Sequence, residues 1–522
     1  MSASALATGT AGDRAVGSRS SGDVRMLARG GTLALAGVAA SAVLQFLLVL
    51  VVTRGLGAVG AGIFLEAVAL FTIVAGVAQF GANTGLVRSL PRLTVLGRAD
   101  ELRRVVAVAI LPVFALSIAA ATAIFVLAPQ LTGLLFHGID AETAVATVRI
   151  FACVLPLAAP TIVILSATRG LGSMRPYVAV QNVVLPALRL LLVLVIVLAG
   201  LGGAAVAAGW AVPLGAAFVA GAIWLRRLLP DRPARPPAGS VRELASEFWR
   251  FSAARGLAGI LGMTVTWVDV LLVGALRSTR EAGIYAAASR LSIAGAYALQ
   301  AVGMAIAPRI SALLTSGRHQ SVEDLYRLGT WWLMALTWPL YLTLIAWAPF
   351  VMGLFGPEFA AGQSAMVILS AAMLVNLATG NVTVVLLMSG RSALNLANAF
   401  ASLVLNATLN AVLIPAYGMT GAALAWAASI LFINLAPLVQ VRLGLGVRSP
   451  LGRGFAVVAV AALLCFGLGS LGIRWTLGSS TGTFVLALVS GSAVYVALLH
   501  RFRQTLLVSD LLEAVRTASP RR

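Results

Sequence analysis

Residues 285–308 read YAAASRLSIAGAYALQAVGMAIAP. This run of small and apolar residues is long enough to cross a bilayer as one α-helix, which needs about 20 residues. It carries one permanent cation, Arg290, less than two turns from its beginning. A charge within a membrane helix is costly unless it faces water or a partner. The stretch therefore predicts a membrane helix and marks Arg290 as a candidate functional residue.

The composition of the whole chain favours lipid as its solvent. Of its 522 residues, 60% are hydrophobic and only 10% are charged, and the mean hydropathy is +0.98. Soluble domains are usually about 25% charged. The two cysteines, Cys153 and Cys465, lie in apolar runs apart from any histidine cluster. We therefore expect no disulfide framework, no metal site and no cofactor.

The basic residues are all arginine, and their distribution predicts the topology. The net charge is +20, from 37 arginines and 17 acids. With a cytoplasmic amino terminus, 29 arginines fall inside, four outside and four within helices. This is the positive-inside bias of membrane proteins. The sequence therefore predicts both termini in the cytoplasm and no nucleic-acid partner.

Apolar runs of about 20 residues predict fourteen crossings. They lie near 31–53, 61–85, 104–128, 148–169, 176–199, 203–225, 249–276, 283–308, 328–349, 364–388, 393–415, 419–442, 454–473 and 482–500.

Three pairs of short segments recur in the same order at offsets of 221, 220 and 218 residues. They are AGIF (61–64) and AGIY (282–285), APQLTGL (128–134) and APFVMGL (348–354), and GLGGAAVA (200–207) and GMTGAALA (418–425). This predicts two parallel six-helix repeats, an arrangement in which transporters commonly bind substrate in a cavity between the halves.

The predicted organisation has six parts. They are a disordered cytoplasmic tail at 1–29, an N-terminal six-helix bundle at 30–225, a cytoplasmic linker at 226–248, a C-terminal six-helix bundle at 249–442, two further helices at 443–503 and a cytoplasmic tail at 504–522.

Three charges are predicted at a similar depth below the outer surface. Arg290, Glu66 and Asp269 each lie about 8–10 Å from a predicted outer helix end, at 1.5 Å per residue. We hypothesise that they face the cavity and that Arg290 pairs with Glu66 or Asp269. The alternative is that Arg290 snorkels to the outer interface, with Glu66 only neutralising it.

Two helices add polar positions to these charges. In predicted helix 7, five residues are separated by 4, 3, 4 and 3 positions, which puts them on one face of the helix. Predicted helix 5 adds the polar side chains of Gln181 and Arg189. An arginine can hold diphosphate oxygens in bidentate fashion. The helix 7 face comprises Arg255, Gly259, Gly262, Thr266 and Asp269. The candidate substrate-cavity residues are Arg290, Glu66, Asp269, Arg255, Arg189, Thr266 and Gln181.

Two segments carry a resemblance to a known family. VDVLLVGALRSTREAGIYAAASRL (268–291) and IPAYGMTGAALAWAAS (414–429) resemble the polysaccharide (O-antigen, Wzx-type) flippases of the multidrug/oligosaccharidyl-lipid/polysaccharide (MOP) exporter superfamily. The resemblance implies an all-α membrane protein of the bacterial cytoplasmic membrane that is not an enzyme. It also implies that an oligosaccharide on a polyprenyl diphosphate is moved to the outer leaflet, with membrane lipids and polysaccharide-assembly proteins as partners.

Other functions stay open at this point. A lipid II flippase has a similar anionic substrate, and a multidrug or cation antiporter belongs to the same superfamily. A membrane glycosyltransferase or polysaccharide polymerase would need catalytic residues on a sizeable outer loop, whereas the predicted outer loops are short. The chain has no lysine and so no phosphate-binding G-x4-G-K-[ST] motif. A coupling ion, proton or sodium, is left undecided.

Overall fold

The computed structural model describes residues 9–138, 141–230 and 240–504, and within them every regular element is helical. Short 3-10 helices occupy Ala99–Glu101 and Pro357–Gly362, and π-helices occupy Tyr177–Val184 and Leu463–Leu468. The α-helices are α1 (Gly9–Gln79), α2 (Ala82–Val95), α3 (Leu102–Leu135), α4 (Ala141–Gly170), α5 (Leu185–Leu198), α6 (Gly203–Ala211), α7 (Pro213–Leu228), α8 (Val241–Leu276), α9 (Thr279–Ser292), α10 (Ala294–Thr315), α11 (His319–Ala346), α12 (Ala348–Phe355), α13 (Gln363–Ala378), α14 (Val382–Met388), α15 (Ser392–Leu445), α16 (Arg453–Ala462), α17 (Gly469–Leu477) and α18 (Thr481–Arg501).

Eleven helical stretches among the described residues are long and apolar enough to span a membrane. Two of them contain a break at a glycine with positive φ, Gly57 (66°) in α1 and Gly418 (58°) in α15. Glycine adopts this left-handed conformation without steric cost, so two helices meet there without a loop. The predicted helix at 283–308 divides at Ile293 into α9 and α10. The count of fourteen crossings stays a prediction.

Helix α2 lies where the sequence suggested an inner connection. Its buried residues Leu86, Leu90 and Leu93 are spaced by four and three, which is the pattern of an amphipathic helix. Arg92 of α2 forms a salt bridge with Glu247 of α8 at this end of the molecule. The inner end of α8 is thereby joined to the N-terminal half.

The predicted tails and linker are only partly described. Helix α1 begins at Gly9, inside the segment expected to be disordered, and α8 begins at Val241, inside the predicted linker. Residues 1–8, 231–239 and 505–522 of these segments lie outside the described residues.

The helices pack so that α1 and α9 form the main contact between the two predicted repeats. Helix α9 runs along α1, whereas α10 lies chiefly against α11 and α14. Large apolar side chains are widely exposed on the outside, for example Leu443 at 81% and Trp475 at 80%. Apolar exposure on this scale fits lipid rather than water. The protein is a multi-pass membrane protein in which the predicted repeats meet along α1 and α9, and again where Phe80 and Gly81 pack against Gly256 of α8.

Candidate functional site

A seam of glycine backbone joins the two repeats at the predicted outer end. The related segments 61–64 and 282–285 face each other there. A Cβ atom on Gly62 would overlap the carbonyl oxygen of Thr279, and one on Gly283 would lie 2.5 Å from the Ala58 oxygen. These contacts are equivalent under the repeat offset of 221, because it relates Gly62 to Gly283 and Ala58 to Thr279. We call the contact of residues 58–62 with 279–283 the outer seam.

Polar bonds between the halves surround the outer seam. Arg54 donates to the Leu354 carbonyl at 2.6 Å, and the Ala58 amide donates to Glu358 at 3.0 Å. The same Glu358 lies 3.6 Å from Arg280 in a salt bridge. The halves are therefore held together at this end by both close packing and hydrogen bonds.

Glu66 lies one turn beyond the outer seam and is enclosed by the protein. Its side chain is 0% exposed and packs against Gly274, where an added Cβ would lie 2.6 Å from the carboxylate. Neither carboxylate oxygen has a hydrogen-bond partner among the described residues. The hypothesised pair of Arg290 with Glu66 is thus absent from this structure, because Glu66 lies in the contact between halves rather than in a cavity.

Asp269 is the acceptor of a buried network between three helices. Asn410 of α15 donates to one carboxylate oxygen at 2.7 Å, and Tyr285 of α9 donates to the other at 3.3 Å. Asn410 also donates to Asn406 at 3.0 Å. All four side chains are buried, Asp269 at 2% exposure. The network ties α8 to both neighbours and supplies carboxylate and amide oxygens of the kind that hard cations and protons bind.

Arg290 stacks on an aromatic ring. Its guanidinium carbon lies 3.5 Å from the centroid of Trp267, close enough for a cation–π interaction. Trp267 precedes Asp269 by two residues on α8, so Arg290 lies near the Asp269 network but farther from the seam. Whether Arg290 serves the cavity stays a prediction.

The predicted stripe on α8 continues from Asp269 toward the other end of the helix. Arg255, Gly259 and Gly262 are exposed, and a Cβ at either glycine would meet nothing within 4 Å. Thr266 is half-buried and donates to the Gly262 carbonyl at 2.9 Å. The stripe therefore forms an open face below a buried polar network.

The candidates on predicted helix 5 belong to a separate group. Arg189 lies 3.5 Å above the Trp210 ring and donates to the Trp210 carbonyl at 3.1 Å. Gln181 lies in the π-helix, and its buried amide oxygen has no hydrogen-bond partner among the described residues. Neither residue has a described contact with the Asp269 network.

The sequence interpretation missed the partners of Asp269 on α15. Asn398, Ser402, Asn406 and Asn410 recur every four residues and are all buried, at 6% exposure or less. A polar residue at every fourth position of an apolar helix puts all of them on one face. That spacing was visible in the sequence and would have identified this side of the network.

The described residues include no group of three or more His, Cys, Asp or Glu side chains placed to hold a metal ion. What the site offers is oxygen ligands, a stacked arginine and a buried lone carboxyl group. Such a set can bind anionic groups, protons or a monovalent cation, and it contains no arrangement of nucleophile and base.

Comparison with known sequences gives two matches. A family model described as "Polysaccharide biosynthesis protein" matches residues 27–314. The probable low-salt glycan biosynthesis flippase Agl15 of Haloferax volcanii is 28% identical over 193 residues, which are 35% of this chain. The chain spans 39% of the length of that curated relative.

Comparison with solved structures shows the fold. An inward-facing multidrug resistance MATE family transporter of the MOP superfamily has a TM-score of 0.67 at 15% identity, covering 78% of this chain and 94% of that one. The lipid II flippase MurJ in an inward closed conformation has a TM-score of 0.68 at 11% identity, covering 91% and 100%. The chain therefore has the all-α fold of MOP transporters.

Proposed function

The chain belongs to the polysaccharide biosynthesis protein family, and on this premise we propose that it is a flippase that moves a lipid-linked oligosaccharide across the cytoplasmic membrane. The match of the family model over more than half of the chain is the observation that carries the proposal. A relative over part of the chain is named as a probable glycan flippase, which agrees with it. The proposed cargo is an oligosaccharide on a polyprenyl diphosphate.

Alternating access is the proposed mechanism, and the contacts between the halves support it. The outer seam is closed by backbone packing, while α10 departs from α1 toward the other end of the molecule. We propose that this end is cytoplasmic, as the arginine distribution predicts, so that the headgroup loads from the inner leaflet. Release then requires the outer seam to part while the other end closes.

Arg290 is the proposed contact for the diphosphate. Stacking on Trp267 holds its guanidinium in one orientation, and a guanidinium can bind phosphate oxygens in bidentate fashion. A guanidinium keeps its charge at any accessible pH, so loading and release depend on geometry rather than on its titration. The exposed stripe with Arg255, Gly259 and Gly262 would face the sugar.

Asp269 is the proposed site of energy coupling. Its carboxylate and the unpartnered oxygen of Asn410 are buried together between α8 and α15. A proton or a sodium ion bound there would change the charge next to Arg290. Transport assays that apply either a sodium gradient alone or a pH gradient alone distinguish between the two ions.

The proposed function is tested with purified protein in liposomes that carry a fluorescent lipid-linked oligosaccharide. Flipping is measured as loss of fluorescence to a membrane-impermeant quencher. Arg290→Ala should abolish flipping, and Arg290→Lys should retain part of it because the charge remains. Arg501→Ala, an exposed arginine at the end of α18, is the matched control. Unchanged flipping by Arg290→Ala would leave only the snorkelling role for this residue.

The same liposomes separate the alternatives. Replacing the glycan lipid by lipid II or by a cationic dye tests the lipid II flippase and the drug antiporter. Faster transport of either would overturn the proposed cargo. A change in the chain length of the glycan after incubation would instead indicate a polymerase.

A further inference from the structure

Glu66 is an ionisable group that the proposed cycle does not yet use. It is 0% exposed, and both of its oxygens lack a hydrogen-bond partner among the described residues. The buried hydroxyl of Thr279 lies beside the carboxyl group and interacts with it weakly, outside ordinary hydrogen-bond geometry. Thr279 is also the residue whose carbonyl oxygen packs on Gly62 in the outer seam. The carboxyl group is therefore enclosed by the very residues that close the seam.

An ionised carboxylate is costly in such a place. A buried charge needs a counter-charge or several donors to offset its lost hydration. A protonated carboxyl group, in contrast, is neutral and can itself donate a hydrogen bond. The closed seam thus favours protonated Glu66 over the carboxylate.

The charged and titratable groups on the surrounding helices are engaged elsewhere. Each has a described contact with a group other than Glu66. Asp269 of α8 accepts from Asn410 and Tyr285. Arg277, directly after α8, pairs with Glu281. On α9, Arg280 pairs with Glu358 and Arg290 stacks on Trp267.

The connection after α3 covers this region from the predicted outer side. The exposed His137 has its Nδ1 atom 3.3 Å from the Gly274 carbonyl, and its own carbonyl accepts from the Thr279 amide at 3.2 Å. Gly274 and Thr279 are the two residues that flank Glu66. Parting of the seam at this point would connect Glu66 with water on that side.

We propose that Glu66 is a proton-binding site whose occupancy controls the outer seam. Protonated Glu66 is enclosed and keeps the seam closed; loss of the proton creates a charge that needs water, and the seam parts. The sign follows directly: acidic conditions favour the closed seam, and alkaline conditions favour the open one. The inference rests on the proposed alternating access but is independent of the cargo, and it assigns Glu66 to the seam instead of to the substrate cavity.

The experiment measures the seam without any glycan. The full chain carries Cys153→Ala and Cys465→Ala, and spin labels are attached through Leu201→Cys and Ser479→Cys, two exposed positions at the predicted outer end. Leu201 belongs to the N-terminal bundle, and Ser479 belongs to the two further helices, which pack on α11 of the C-terminal bundle. Pulsed electron spin resonance gives the label distances in liposomes at acidic and alkaline pH. Glu66→Gln is the test variant, because it has the same shape and cannot ionise. Glu142→Gln, an exposed acid at the same end, is the matched control.

We expect a longer distance population to appear at alkaline pH in the parent and in Glu142→Gln. Glu66→Gln should lose this shift and keep the short distance at both pH values. Thr279→Val, which removes the neighbouring hydroxyl, should retain the shift but move its midpoint to higher pH. A pH response in Glu66→Gln equal to that of the parent, or a parent without a response, would overturn the proposal. Because no cargo is present, either result leaves the proposed flippase activity to be judged by its own assay.

Discussion

The outer seam offers a substitution with a calculable effect, Gly283→Ala. The added Cβ would lie 2.5 Å from the Ala58 oxygen and 2.7 Å from the Gly62 nitrogen, where ordinary contacts begin at 3.4 Å. Relief requires α1 and α9 to separate by about 0.9 Å, the difference between 3.4 and 2.5 Å. Both neighbours are backbone atoms, so no side chain can rotate out of the way. The strain exists only while the seam is closed.

The size of the effect follows from the cost of overpacking. An extra methyl group in a well-packed contact typically costs about 1–3 kcal/mol. If only the closed state carries this cost, the equilibrium moves toward the open seam by roughly 5- to 150-fold. A molecule that prefers the open seam loads cargo less often, so we expect slower flipping as well.

The label pair at positions 201 and 479 measures this shift directly. Gly283→Ala should enrich the long-distance population at a pH where the parent is mostly closed. Gly133→Ala is the matched control, because a Cβ there meets nothing within 4 Å on an exposed face of α3. Both changes raise helix propensity by a similar amount, so their difference isolates the contact. Identical distance distributions for the two variants would refute the role of the seam.

Three further predictions concern other contacts. Asn410→Leu should lower the thermal unfolding midpoint in detergent, because it leaves the buried Asp269 carboxylate short of a donor at a cost of about 1–3 kcal/mol. Asp269→Asn should lower the midpoint less. Equal midpoints for the two variants would contradict the network. Gly380→Ala (φ 59°) should be less stable than Gly390→Ala (φ 83°), since only the former also places its Cβ 2.9 Å from the Thr330 Cβ; the difference between the two midpoints measures the overlap alone. Glu247→Gln should change stability by less than about 1 kcal/mol, because its salt bridge with Arg92 is exposed, and a larger loss by chemical denaturation would show a structural role for that bridge.

The fold class could be predicted from the sequence because its signals are local. The length of an apolar run identifies a membrane helix, and the placement of arginines predicts the orientation of each helix across the bilayer. The breaks were harder to predict. Gly57 and Gly418 join helices without a loop, whereas the division of predicted helix 8 at Ile293 has no glycine or proline at that residue. At this break the Tyr341 hydroxyl of α11 accepts from the Gly295 amide and donates to the Ser292 carbonyl, so a side chain of α11 occupies the gap between α9 and α10.

The candidate site was predictable only in part, because depth along a helix does not specify rotation about its axis. Asp269 and Arg290 were found by their charge, and the structure puts both next to aromatic or amide partners. Glu66 was found by the same signal, but it faces Gly274 and the seam instead of an arginine. Trp267 and Tyr285 gave no sequence signal, since aromatic residues in a membrane helix are common as packing.

Glu66, Asp269 and Arg290 were predicted at a similar depth, but the structure places them at three successive levels along α8. Glu66 lies against Gly274, the amide network holds Asp269, and Arg290 stacks on Trp267. At 1.5 Å per residue these levels are about 7.5 Å and then about 3 Å apart along the helix. A seam that opens from the outer end therefore hydrates Glu66 before it hydrates Asp269, and Asp269 before Arg290. Ionisation of Glu66 would then precede any change at the proposed coupling site, and the diphosphate on Arg290 would be the last group to meet outer water. In the proposed cycle, this order would make premature leakage of the cargo dependent on two earlier steps, each with its own carboxyl group.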